Sequence, residues 1–92
     1  MKARAEARVW FVSGHVQGVG FRWFVVKNAL EIGVTGCVRN EDDGRVHVYA
    51  TGTPDQLNRL AALLHVGPRM AQVRGVEERE AGIQNHRTFE SR

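Results

Sequence analysis

The alternation of two hydrophobic periods along the 92 residues predicts an α+β fold in the order β-α-β-β-α-β. A β-branched and aromatic run at Arg8–Ser13 opens this order as a strand. Two later segments repeat apolar residues at helical spacing, and each ends at a glycine. A pair of alternating segments joined by an Asp-Gly turn lies between them, as expected of a hairpin. The order is typical of the ferredoxin-like fold, in which two helices cover one face of a four- to five-stranded antiparallel sheet.

The first predicted helix spans Phe21–Ile32, and Gly33 stands where a left-handed C-terminal cap belongs. A strand is predicted next over Val34–Asn40. The turn Asp42–Gly44 combines residues that tolerate or prefer positive φ, and the alternation of Val46–Thr51 predicts the antiparallel partner strand. The apolar stripe that would face the core from the helix consists of Phe21, Val25, Ala29 and Ile32, and Val26 and Leu30 widen it.

A complete start signal precedes the second helix. Thr53 is the predicted N-cap, Pro54 takes the first helical position, and Gln56 closes a capping box. The sequence Gly67-Pro68 ends the helix. The predicted buried stripe consists of Leu57, Leu60, Ala61 and Leu64.

A fourth strand is predicted over Met70–Glu80. Its apolar residues change parity between Val73 and Val76, which predicts a β-bulge near Gly75. Thr88–Ser91 is the candidate for a fifth, short edge strand. We therefore expect a single domain over residues 1–92.

Composition excludes several classes of protein. Thirteen basic and ten acidic residues give a formal charge of +3, which is spread along the chain and suits a small anionic ligand as well as nucleic acid. The single cysteine, Cys37, excludes an internal disulfide and a Cys-based zinc site. No apolar stretch approaches the roughly 20 residues of a membrane helix, and Met1–Arg8 lacks the apolar core of a secretory signal. We therefore expect a cytoplasmic protein with no membrane partner. We also expect a monomer, because the sequence has no heptad repeat and no long apolar strand edge.

The stretch Gly14–Gly20 joins a predicted strand to a predicted helix, where main-chain N–H groups and the helix dipole favour an anion. Arg22 lies in the first helical turn, where a cation opposes the dipole by about 0.3–1 kcal/mol unless an anion lies between them. The lysine of a P-loop is absent, and Trp23 occupies the third glycine position of a dinucleotide-binding pattern. The alternative is a loop whose glycines only turn the chain, with Arg22 in solvent, and composition alone leaves the two equally open.

Two motifs resemble the signatures of the acylphosphatase family. Val12–Arg22 is similar to the first signature. Gly36–Asn40, followed by Gly44, Val46 and Gly52, is similar to the second. The motifs have the order and spacing of the family, and together with the element order they cover nearly the whole chain.

The resemblance implies that the protein hydrolyses acyl phosphates to a carboxylate and inorganic phosphate, without a cofactor. It implies that Arg22 pairs with the phosphoryl oxygens and that Asn40 holds the attacking water. The residues whose main chain would cradle the phosphoryl group are His15, Val16, Gln17, Gly18, Val19 and Gly20. The four histidines show no metal-ligand spacing, so no metal is expected; they are His15, His47, His65 and His86.

One position departs from the family pattern: Cys37 stands where an aromatic residue is usual. Strand parity puts Cys37 on the face opposite Val38 and Asn40, so we expect altered packing and unaltered chemistry. A non-catalytic RNA-binding module of the same fold is the alternative function. Trp10 is not accompanied by the aromatic pattern that such modules use, so we expect no nucleic-acid partner. A phosphate-binding module of a larger maturation protein is a third possibility.

Overall fold

The computed structural model describes residues 4–92. The prediction that Met1–Arg8 is not a secretory signal falls partly on Met1, Lys2 and Ala3, which lie outside the described residues. The strands are β1 (Glu6–His15), β2 (Thr35–Asn40), β3 (Val46–Gly52), β4 (Gln72–Ala81) and β5 (Phe89–Ser91). The helices are α1 (Phe21–Ile32) and α2 (Pro54–Val66). No helix in this part of the chain has the length and apolar character to span a bilayer.

The strands form one sheet in the order β4-β1-β3-β2-β5. The neighbours among β1 to β4 pair antiparallel, as predicted, and two helices complete the ferredoxin-like fold. The fifth strand is the exception, because β5 runs parallel to β2, with Gly36 opposite Phe89. The antiparallel prediction is therefore wrong for this strand. Register explains the difference: Ala81 ends β4 opposite Ala7, at the end of the sheet where Thr35 begins β2, so a chain that crosses there runs along β2.

The first strand is longer than predicted and pairs with β4 as far as His15. Ser13 pairs with Gly75 and Gly14 pairs with Val73, so one residue of β4 between them has no partner. This confirms the bulge predicted near Gly75. Gly14 has φ 124°, and a Cβ there would collide with the carbonyl oxygen of Gln72, so only glycine allows this close approach of the two strands.

Both helices begin and end at the predicted residues. Gly33 caps α1 with φ 97°, and its N–H donates to the carbonyl of Ala29 at 2.9 Å. At the start of α2, Gln56 N donates to Thr53 Oγ1 at 3.2 Å, and Thr53 N donates to Gln56 Oε1 at 2.9 Å. The predicted capping box is confirmed. The Gln56 amide also donates to the carbonyl of Ile32, which ties the start of α2 to the end of α1.

The main core lies between the sheet and the two helices. Val26 packs against it, as predicted, but the prediction for Leu30 is wrong, because its side chain is exposed on the other side of α1 from the buried stripe. Each fully buried leucine or valine contributes about 1.5–3 kcal/mol relative to an exposed one, so this layer holds the helices on the sheet. Trp10 is fully buried, and its indole N–H donates to Glu78 at 2.6 Å. The largest other fully buried side chains are Phe21, Leu57, Leu60, Leu64, Val12, Val16, Val25, Val38, Val46 and Val48.

A smaller cluster lies on the opposite face of the sheet. It contains Cys37, which is buried against Tyr49 and Ala7, so the predicted face of Cys37 is confirmed. The Tyr49 hydroxyl donates to the carbonyl of Gly82 at 2.7 Å and accepts from Gln84 N at 2.6 Å. These bonds hold the segment that crosses from β4 to β5, and this crossing brings β5 to the far edge of the sheet.

Candidate active site

Two valines of the loop between β1 and α1 anchor it to the main core. Val16 is buried and Val19 packs against the main core. Gly18 and Gly20 adopt left-handed conformations, with φ 74° and 80°. A Cβ on either glycine would meet nothing within 4 Å. The main chain at these two positions therefore faces open space, from which a ligand can approach it closely.

The N-terminus of α1 has none of the usual side-chain partners. Its N-cap, Gly20, offers no capping side chain, and the first turn carries no acidic residue. Among the described residues, the main-chain amides of residues 17–20 donate to no other main-chain group. The N-terminus of α2 differs in both respects, because Thr53 caps it and Asp55 lies in its first turn. Unsatisfied donors and the positive end of the dipole make the start of α1 suited to an anion.

Arg22 extends from the first turn of α1 towards the end of β5. Its Nη1 donates to the main-chain oxygen of Arg92 at 3.2 Å. Arg92 N in turn donates to the carbonyl of Val38 at 2.8 Å, which continues the pairing of β5 with β2. In the part of the chain that the structure describes, the other guanidinium N–H groups have no acceptor. Most of the guanidinium fork is thus free to bind a ligand.

Asn40 ends β2, and its exposed side chain makes no hydrogen bond to residues 4–92. The loop and the following hairpin are joined beside it by Gln17, whose Nε2 donates to the carbonyls of Glu41 at 2.8 Å and Arg45 at 3.0 Å. Glu41 N also donates to Arg45 at 2.8 Å and closes the hairpin. Gln17 therefore fixes the position of Asn40 relative to the loop.

One open cavity of about 420 Å³ gathers these groups. Its lining residues are Gly18, Gly20, Phe21, Arg22, Trp23, Val26, Asn40 and Ser91. Four predicted site residues thus come together, namely Gly18, Gly20, Arg22 and Asn40. The remaining four do not line it, and these are His15, Val16, Gln17 and Val19. His15 ends β1 with an exposed side chain, the two valines face the core, and the Gln17 side chain is used by the hairpin.

Four lining residues are not among the predicted site residues. Phe21 is one of them; it was predicted only as part of the buried stripe of α1, and it is buried in the main core. Val26 lies one helical turn after Arg22, and Trp23 lies three residues before Val26 on the same face, so the helical spacing could have found both. Ser91 reaches the cavity only because β5 runs along β2, and no local pattern signals that pairing.

Arg22 is the one charged side chain among the residues that line the cavity. Two groups with shifted pKa values lie elsewhere. The main-chain N–H of Arg45 lowers the pKa of Asp43, and burial lowers the pKa of His47. The cavity therefore presents positive charge and neutral donors, with no carboxylate or imidazole on its lining to act as an acid or base.

The fold and the cavity define a class of protein, the ferredoxin-like sandwich with an open glycine loop at an uncapped helix start. The model of the acylphosphatase family matches residues 8–91. An acylphosphatase of Solibacter usitatus is 52% identical over 88 residues, which are 96% of this chain and 92% of that protein. One of Archaeoglobus fulgidus is 48% identical over 80 residues, 87% of this chain and 90% of that protein. The structure of an acylphosphatase from Coxiella burnetii has a TM-score of 0.92 at 36% identity and covers 96% of this chain and 93% of its own. The chain belongs to the acylphosphatase family, which confirms the resemblance of its two motifs.

Proposed function

We propose that this enzyme of the acylphosphatase family hydrolyses acyl phosphates, with Arg22 and Asn40 as its catalytic residues. The reaction converts RCO–OPO₃²⁻ and H₂O to RCOO⁻ and H₂PO₄⁻. The bond that breaks joins phosphorus to the acyl oxygen, and the bond that forms joins phosphorus to the oxygen of water. The observation that carries the proposal is the meeting in one cavity of the open glycines, the uncapped helix start and the Arg22 guanidinium.

The phosphoryl group binds to the loop. The main chain of residues 15–20 and the first turn of α1 donate to its oxygens, while Arg22 binds two of them as a planar fork. Charge spreads over the equatorial oxygens in a loose transition state, and fixed donors stabilise it there at little cost of reorganisation. The anion also removes the conflict between the Arg22 charge and the helix dipole.

Asn40 orients the attacking water. Its amide can hold water without the negative charge that a carboxylate would bring beside a dianion. The leaving carboxylate has a conjugate acid with a pKa of about 4–5, so no general acid has to protonate it at neutral pH. The proton of the water ends on the phosphate. This sparse chemistry agrees with a lining that has no acid or base side chain.

The test is hydrolysis of acetyl phosphate by the purified protein with a chelator present. Arg22→Ala should lower kcat/KM about 1,000-fold, as removal of a donor to transition-state charge does, and Arg22→Lys should recover only part of it. Asn40→Ala should lower kcat about 100-fold or more while inorganic phosphate still inhibits at the same concentration. Arg59→Ala, which removes an exposed arginine from α2, is the matched control and should leave both constants unchanged.

Two results would contradict the proposal. Equal weakening of phosphate inhibition by Arg22→Ala and Asn40→Ala would mean that Asn40 does not hold water. Tight, salt-dependent binding of oligonucleotides without hydrolysis would favour the RNA-binding alternative.

We also propose that the enzyme acts as a monomer in the cytoplasm. One chain supplies every group that the proposed reaction uses, and Cys37 is a free thiol buried against Tyr49. A sedimentation measurement that gave twice the chain mass at assay concentration would contradict the monomer.

A further inference from the structure

The cavity is much larger than the group that the reaction transfers. Its volume of about 420 Å³ falls within the roughly 300–1,000 Å³ of pockets that hold drug-sized ligands. The loop, Arg22, Asn40 and Ser91 account for the polar part of the lining. The remaining wall belongs to α1, and its character is apolar.

That wall consists of Phe21, which is buried in the main core, and of Trp23 and Val26. Trp23 and Val26 lie three residues apart on α1, so their side chains are neighbours on one face of the helix. Trp23 is 68% exposed, which is unusual for an indole and leaves its ring open to the cavity. The ammonium of Lys27 lies 5.3 Å from the centroid of the indole, a cation–π contact that restrains the ring.

We propose that Trp23 and Val26 bind the acyl group of the substrate, so that acyl phosphates with an aromatic or bulky apolar acyl group are preferred. This inference rests on the proposed function. Once the loop and Arg22 hold the phosphoryl group, its bridging oxygen has to carry the acyl group out of the loop, and Trp23 borders Arg22 in the first turn of α1. An aryl ring stacked on the indole loses apolar contact with water, whereas an acetyl group is too small to reach both side chains.

This contact exists both before and during the transfer, because the acyl group is remote from phosphorus. Uniform binding of this kind lowers KM and leaves kcat nearly constant. The effect of Trp23 should therefore appear in KM for large acyl groups.

The experiment compares benzoyl phosphate with acetyl phosphate in the wild type and in Trp23→Ala. The quantity measured is the ratio of kcat/KM for the two substrates, because dividing the variant's ratio by that of the wild type cancels their different intrinsic reactivity. We expect Trp23→Ala to lower the ratio about tenfold, mainly through KM for benzoyl phosphate, as loss of contact with one aryl ring predicts. Trp23→Phe should restore most of it, and Val26→Ala should lower it less.

The matched control is Ile83→Ala, which removes another exposed apolar side chain outside this cavity and should leave the ratio unchanged. Inhibition by inorganic phosphate should be the same in Trp23→Ala and in the wild type, because phosphate does not reach the indole. An unchanged ratio in Trp23→Ala, or an equal loss for both substrates, would overturn the acyl subsite and leave the proposed function intact. A wild type that hydrolysed neither substrate would overturn the proposed function, and the subsite with it.

Discussion

The side-chain amide of Gln17 lies 2.8 Å from the carbonyl oxygen of Glu41, a residue 24 positions further along the chain. A second bond, to the carbonyl of Arg45, makes Gln17 the bridge between the glycine loop and the β2–β3 hairpin. Asn40 immediately precedes Glu41, so the group proposed to hold water is fixed relative to the groups proposed to hold phosphate. The side chain of Gln17 thus bonds to the hairpin next to Asn40 and does not line the cavity.

Gln17→Ala should separate water positioning from phosphate binding. The substitution removes both bonds to the hairpin but leaves Arg22 and the glycines in place, so we expect kcat to fall about tenfold or more, as misplacement of a reacting group does. The concentration of phosphate that inhibits by half should change little. Gln84→Ala, on the other face of the sheet, is the control. A fall in thermal stability with no fall in kcat would assign Gln17 a purely structural role.

Gly18 should not tolerate alanine, although the space around it is open. Its φ of 74° belongs to the left-handed region, which costs a residue with a Cβ about 1–2 kcal/mol. Gly18→Ala should lower the free energy of unfolding by this amount, measured by urea denaturation, or rearrange the loop and abolish phosphate inhibition.

The control for Gly18 is Gly75→Ala. Gly75 also has nothing within 4 Å of a built Cβ, but its φ lies outside the left-handed region. We expect no loss of stability and no change in phosphate inhibition. Similar losses in both variants would show that the left-handed conformation of Gly18 is not the cause of the loss.

Local signals determined much of this fold, and they were therefore readable in the sequence. The capping box at Thr53 and the left-handed cap at Gly33 depend on a few consecutive residues, and both are confirmed. The parity change between Val73 and Val76 sufficed to predict the bulge in β4. The anion site at the start of α1 could also be predicted, because the conflict between the Arg22 charge and the helix dipole depends only on residues in the first turn.

Features that depend on distant pairing were not readable. The direction of β5 follows from where β4 ends and from the anchoring of residues 82–84 by Tyr49, and neither leaves a pattern near Phe89. Ser91 and the partner of Arg22 at the end of β5 were missed for this reason. The bonds from Gln17 to the hairpin join residues whose proximity only the folded sheet creates.

Tyr49→Phe tests the anchoring of the crossing segment. The Tyr49 hydroxyl donates to the carbonyl of Gly82 and accepts from the main-chain N–H of Gln84. Its removal leaves both of these groups without that partner. We expect a loss of about 1–3 kcal/mol in the free energy of unfolding, the cost of unsatisfied polar groups. Hydrogen exchange at Gln84 N should accelerate more than exchange in β3. A variant as stable as the wild type, with protection at Gln84 intact, would mean that the packing of the tyrosine ring alone holds the segment.

His47 should make the stability of the protein fall on mild acidification. Burial lowers its pKa below the ordinary value of 6.5, and the charges of Arg39 and Arg45 act in the same direction while Glu41 opposes them. Its Nδ1 is buried with no hydrogen-bond partner among the described residues, and its ring lies edge-on to Phe11 at 5.0 Å. The folded state therefore favours the neutral imidazole.

The unfolded chain then binds more protons than the folded chain between the lowered pKa and about 6.5, so stability rises with pH across this window. The stabilisation is fully present above about pH 6.5 and is lost as the pH falls towards the folded-state value. His47→Gln should flatten the dependence of the unfolding midpoint on pH between about pH 7.5 and 5, where histidine titrates. His65→Gln, at the exposed end of α2, is the control and should keep the wild-type slope. Parallel curves for the wild type and His47→Gln would exclude His47 as the source of the acid sensitivity.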